Sequence, residues 1–208
     1  MNTRPISVRR VLAGLTAAGA AGLLAGSAPA AEVTSEHSSF ATFREQGERL
    51  TVIVDAYPAS LREAAAFIPV PIAVGLMGRG GPVRFHEESF TLVDASGREF
   101  PLASYSGLIA NYPQRTFDAT LLKQWPIVTG GQFESMTEAT SRFFPAPGAE
   151  TRTELVELSP FTWFRDVLYF PRPADMHGVL TLKIRAPGLE HPAELRFQVP
   201  ERRKSGNN

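Results

Sequence analysis

The sequence predicts a mostly β protein, an antiparallel β-sandwich of seven to nine short strands that carries a small helical insertion. Short apolar runs with strand-like alternation recur from Leu50 to Val199, separated by turns containing Gly and Pro. Helical spacing is confined to one stretch, at about residues 103–146. Strand and helix do not alternate along the chain, so the pattern of a parallel α/β sheet is missing.

The first strand is expected at residues 50–56, where Leu50, Val52, Val54 and Ala56 alternate with Thr51, Ile53 and Asp55. Residues 67–76 form the second. Pro69 and Pro71 withhold two ladder donors on one side of it, which predicts an unpaired edge there. After a Gly-rich turn at 78–82, Val83, Phe85, Glu87 and Ser89 alternate with Arg84, His86 and Glu88, and the strand is expected to run on through 90–93. Asp94-Ala95-Ser96-Gly97 then predicts a tight turn, with Gly97 at a positive φ, that closes a hairpin with 98–102. Leu102, Tyr105, Leu108, Ile109 and Tyr112 recur at helical spacing up to Pro113, and Phe117, Leu121, Leu122 and Trp125 do so up to Pro126. A short strand is expected at 142–144, followed by strands at 154–158, 166–170, 178–186 and 193–199. One domain therefore spans 49–200, after a polar leader at 31–48 and before a solvated tail at 201–208.

Two segments carry a family resemblance. Residues 88–102, with Phe90, Leu92, Asp94, Gly97 and Phe100 in order, resemble the hairpin of bacterial secreted immunoglobulin-like domains. Asp166-Val167-Leu168-Tyr169-Phe170-Pro171, followed by the alternating 179–184, resembles the later strands of the same domains. The resemblance implies an immunoglobulin-like sandwich and an extracytoplasmic setting, and it carries over no catalytic residues. The 103–146 segment is longer than the usual connection in that family.

The N-terminal thirty residues read as a signal peptide. Arg4, Arg9 and Arg10 form a basic start, residues 11–26 carry no charge, and Ala28-Pro29-Ala30 offers a cleavage site before Ala31 or Glu32. Arg9-Arg10-Val11-Leu12 also resembles a twin-arginine signal, so two export routes stay open. Either route places the mature protein in the periplasm or outside the cell, without a membrane span after cleavage.

Three of the 21 basic residues lie in that leader, leaving 18 against 21 acidic ones and a mature net charge of about −3. Such a balance gives no reason to expect a nucleic-acid partner. With no cysteine in the chain, thiol nucleophiles, thiolate zinc sites and blue-copper sites are excluded. His37, His86, His177 and His191 are scattered, and Asp175-Met176-His177 reads as a solvated turn, so neither a metal nor a cofactor is expected. Glu87 and Glu88, as neighbours on a strand, would point to opposite faces, wrong for paired glycosidase carboxylates. Asp94 is explained by its turn and Asp118 by a first helical turn. Asp166, ahead of a strongly apolar strand, has no such explanation and is a candidate site residue. Phe161, Trp163, Phe164, Tyr169 and Phe170 crowd one segment, with Trp125, Phe143 and Phe144 upstream.

These observations leave two functional readings. The first is a non-catalytic extracytoplasmic binding or structural module contacting a protein or an envelope or glycan component, with Trp125, Trp163, Phe164 and Asp166 as candidate contacts. The aromatic cluster reads first as core, with Trp163 largely buried; the alternative is an aromatic face or groove for a sugar, a lipid or a partner protein. The second is a small extracytoplasmic hydrolase with its site beneath the 103–146 insertion, which would bring Asp, His and Ser together in one pocket.

Overall fold

The computed structural model describes residues 40–44, 49–120, 131–145, 148 and 151–201; residues 1–30, read above as a signal peptide, Trp125 and residues 202–208 lie outside the described residues. Eleven strands are described: β1 (Phe40–Arg44), β2 (Leu50–Asp55), β3 (Phe67–Leu76), β4 (Val83–Phe85), β5 (Phe90–Val93), β6 (Glu99–Pro101), β7 (Thr137–Glu138), β8 (Val156–Leu158), β9 (Thr162–Pro171), β10 (Val179–Ile184) and β11 (Ala193–Gln198). Short helices lie at α1 (Tyr57–Ser60), α2 (Tyr105–Asn111) and α3 (Arg115–Asp118). The fold is mostly β, with sheets packed against one another.

The larger sheet has the order β1-β2-β3-β9-β7, the second β11-β10-β5-β6, and β4 pairs with β8 in a two-stranded ribbon. β-branched and aromatic residues suit these positions because each strand presses at least one face onto apolar neighbours. Val52, Val74 and Phe164 stand in register across the larger sheet and face the main core. Phe90, Leu92, Leu182 and Leu195 meet them from the second sheet. β1 lies within the segment expected to be a leader; it pairs with β2 from Phe40↔Asp55 to Arg44↔Thr51 and so extends the sheet by one strand.

Pro69 and Pro71 stand where two missing donors do least harm. β3 pairs with β9 along its whole length, Phe67↔Pro171 to Leu76↔Thr162, whereas its pairing with β2 stops at Val54↔Ile72. The side left without β2 is the one the prolines occupy.

The stretch 83–93 is not one strand. A 3₁₀ turn at Glu87–Ser89 divides it, with Ser89 Oγ accepting from the His86 amide at 3.0 Å. β4 thereby joins the ribbon and β5 the second sheet, and the Glu87–Glu88 pair sits on a turn, away from any strand face. The β5–β6 hairpin forms as expected: Asp94 Oδ1 accepts from the Ser96 and Arg98 amides, and Gly97 adopts φ +83°. No strand forms at 142–144; β7 pairs instead, in parallel, with the start of β9.

All six residues of β2 are buried, although its sequence alternates. The reason lies on the outer face of the larger sheet, where Ile53 and Ala73 pack with Phe133 and Met136. Gly75 makes room for this cover, since a Cβ there would fall on the Phe133 ring.

Candidate functional site

The helical insertion packs onto the C-terminal half of β9 and joins the main core. Tyr169, out of phase with the core residues Phe164 and Phe170 along β9, meets Tyr112 from the end of α2 and Phe144 at ring centroids of 5.4 and 5.3 Å. Phe67 closes on Tyr112 edge-to-face at 6.3 Å. Ser104 caps α2 by accepting from the Gly107 amide at 3.2 Å. Helices this short do not persist alone, and the aromatic contacts hold them to the sheet.

Beneath the helices three polar side chains close a network. Arg62, just past α1, donates through Nη2 to Asp118 Oδ1 at 2.6 Å and through Nε to the Tyr112 hydroxyl at 3.1 Å. That hydroxyl in turn donates to Asp118 Oδ2 at 2.6 Å. The Asp118 side chain is wholly buried and that of Arg62 is 16 % exposed. Burial raises the Asp118 carboxyl above its ordinary range against the pull of its two donors. Burial, helped by Asp118, also drives the Tyr112 phenol upward. Asp118 stands in the single turn of α3, as expected from the sequence, but its carboxylate does more than favour the helix: it fastens the insertion to the loop after α1.

Asp166 fastens a second part of the insertion. Its Oδ2 accepts from Ser141 Oγ at 2.6 Å and from the Phe143 amide at 3.0 Å, while Oδ1 takes the Val167 amide at 2.8 Å. Phe143 then packs on Phe90 and Phe164, and Phe144 on Tyr169. Burial pushes the Asp166 carboxyl up to about 6, and the nearby Glu87 charge adds to this against the three donors. Its carboxylate is thus engaged by the protein itself.

The surface beside α3 holds an open pocket of about 380 Å³ lined by Arg62, Pro113, Gln114, Thr116 and Phe117. Phe117 is 74 % exposed, more than any other described large apolar side chain. On the other side of the same short helix the Arg115 guanidinium lies 6.0 Å from the Tyr105 ring, and Arg152, ion-paired with Glu87, lies 5.2 Å from it.

The four sequence-derived candidates fare differently. Trp125 lies outside the described residues. Phe164 is fully buried among Phe85 and Phe143, which leaves it no face for a ligand. Asp166 is buried and spent on the Ser141–Phe143 segment. Trp163 is partly buried, short of the expected burial, and lies outside the main core: it stacks on Phe133 at 4.9 Å on the outer face, in register with Gly75. An alternating strand cannot send Trp163 and Phe164 to one side. Asp118, Asp166 and Ser141 do share the region under the insertion, but none of the described histidines is hydrogen-bonded to them. His177 instead sits 3.3 Å from the Val199 carbonyl, Asp175 accepts from the Gly178 amide, and Met176 is buried in the core. Among the described residues no group of three acidic or histidine side chains could hold a metal ion, and no helix is long and apolar enough to cross a membrane. Sequence reasoning missed Arg62, Arg115 and Arg152, and read Tyr112 and Asp118 only as helix residues. Comparison with protein-family models, curated proteins and solved structures finds no match.

Proposed function

We propose that the protein is an exported, immunoglobulin-like β-sandwich acting as a non-catalytic binding module toward an envelope component, with its contact surface on the helical insertion. Export rests on the signal segment at 1–30. The immunoglobulin-like assignment is supported by strand order. β2-β3-β9 matches the A-B-E order of that fold, and β11-β10-β5-β6 matches G-F-C-C′. In that scheme the insertion falls between C′ and E, and β7 stands beside E where strand D would lie.

The binding reading is carried by one observation, the exposed Phe117 on the rim of the Arg62–Phe117 pocket. The buried carboxylates nearby are held by Arg62, Tyr112 and Ser141 and the backbone, an arrangement that fixes structure and leaves no free base beside a nucleophile. A large apolar side chain displayed on the rim of a pocket is suited to contact. Mature protein beginning at Ala31 or Glu32 should co-sediment with isolated envelope fragments of its host. Phe117→Asp should melt at the wild-type temperature and stay in the supernatant. Wild-type protein that stays in the supernatant, or a Phe117→Asp variant that sediments normally, would refute the reading.

A further inference from the structure

The strongest unexplained feature is cationic. Arg115 Nε and Nη1 and Arg152 Nε are buried and have no hydrogen-bond partner. Arg152 gives Nη2 to Glu87, whereas Arg115 makes no ion pair among the described residues. Stacking against Tyr105 accounts for the faces of the two guanidiniums, yet cation–π contact leaves the in-plane N–H donors unused. A guanidinium kept from water with donors unmatched is costly unless an acceptor completes it. Among the described residues the only ion pair of the cluster is Arg152–Glu87. The Arg152 side chain is itself 32 % exposed.

We propose that Arg115 and Arg152, arranged around Tyr105, form a binding site for a single oxyanion group, the chemistry shared by a carboxylate and a phosphate. Planar forks of N–H donors match the two oxygens of such a group, and packing of both guanidiniums against the Tyr105 ring holds the forks in place. The site deepens the binding reading, on which it rests, by naming the chemistry of the ligand. Arg115 immediately precedes the Thr116–Phe117 wall of the pocket, so α3 would present an anionic contact on one side and an apolar one on the other.

The test uses mature wild-type protein and Arg115→Met, melted in sodium chloride, sodium phosphate and sodium acetate at matched ionic strength. The wild-type midpoint should rise by about 2–4 °C in at least one oxyanion relative to chloride, and should keep rising with the logarithm of its concentration. A larger response to phosphate or to acetate identifies which oxyanion the ligand carries. Arg115→Met should melt in chloride no lower than wild type, because it removes an uncompensated cation, and should lose the oxyanion response. Arg152→Met should also weaken that response. Equal wild-type midpoints in all three salts, an undiminished response in Arg115→Met, or an Arg115→Met chain that fails to fold in chloride would each overturn the site. If the oxyanion response survives while envelope co-sedimentation fails, the site stands and the broader envelope reading falls.

Discussion

Replacing Asp118 by Ala removes the acceptor on which the insertion's polar network closes. The carboxylate takes donors at 2.6 Å from both Arg62 and Tyr112, and its side chain is inaccessible to water. Its loss leaves a part-buried guanidinium and a buried phenol facing an apolar gap. Breaking a buried pair by deleting one partner costs about 3–5 kcal/mol. Here Arg62 is 16 % exposed and keeps bonds to the Leu61 carbonyl and the Tyr112 hydroxyl. Partial rehydration therefore places the loss at the lower end, about 3 kcal/mol. With a urea slope of about 2–3 kcal/mol per molar, the midpoint should fall by about 1–1.5 M. Tyr112→Phe keeps the ring contacts with Phe67 and Tyr169 and should cost about 1 kcal/mol. In the double variant the two losses should fall short of additivity by about 1 kcal/mol, since the residues share one bond. Urea melts of the four proteins measure all of these. An Asp118→Ala midpoint within about 0.2 M of wild type, or strict additivity, would refute the claim that the network fastens the insertion.

Two further predictions concern β9. The Asp166 carboxyl titrates at about 6 in the fold, against 3.8 for a free side chain. The folded state thus binds its proton more tightly, and this group's contribution to stability is greatest below pH 4 and is lost as pH rises through the window from about 4 to 6. The slope from one such group is at most about tenfold in the folding constant per pH unit. The difference in stability between wild type and Asp166→Asn should therefore change across that window and be flat above it; a constant difference from pH 4 to 7 contradicts the assignment. Trp163→Ala and Phe164→Ala, one position apart, should separate sharply: about 3–5 kcal/mol for the core phenylalanine, and less than half of that for the tryptophan on the outer face. Equal losses in calorimetry would show that the outer face matters to folding as much as the core does.

How much of this was legible in the sequence divides by the distance over which residues act. The β5–β6 hairpin was readable because Asp94, Ser96 and Gly97 settle it within four residues. β10 and β11 were readable because alternation marks their faces, and the Pro69–Pro71 edge because a missing donor is a property of the residue itself. The single strand expected at 83–93 failed where Ser89 satisfies the His86 amide and turns the chain, a local competition that alternation does not register. For β9 the apolar run gave the strand, but crowding of aromatics said nothing about phase, and phase alone separates Phe164 from Trp163.

The insertion shows why its chemistry stayed hidden. A solvated Asp at the end of a short helix and a buried Asp under one are written alike; what distinguishes Asp118 is Arg62, 56 positions earlier in the chain. Arg152 and Glu87 are likewise 65 positions apart. Without cysteines, the domain has no covalent clasp for a segment that lacks the length to be stable alone. Aromatic packing on Tyr169 supplies adhesion to the sheet but little directionality, because rings tolerate sliding by an ångström or more. Buried ion pairs and multiply bonded carboxylates have the opposite character, adding little net stability and strongly penalising any register but one. Asp118 ties α3 to Arg62 in the loop after α1, and Asp166 ties Ser141–Phe143 to β9, so together they fix the insertion at two points. Where Phe117 and Arg115 face is set by that positioning. Loss of either aspartate should therefore disturb the surface of α3 even in variants that remain folded.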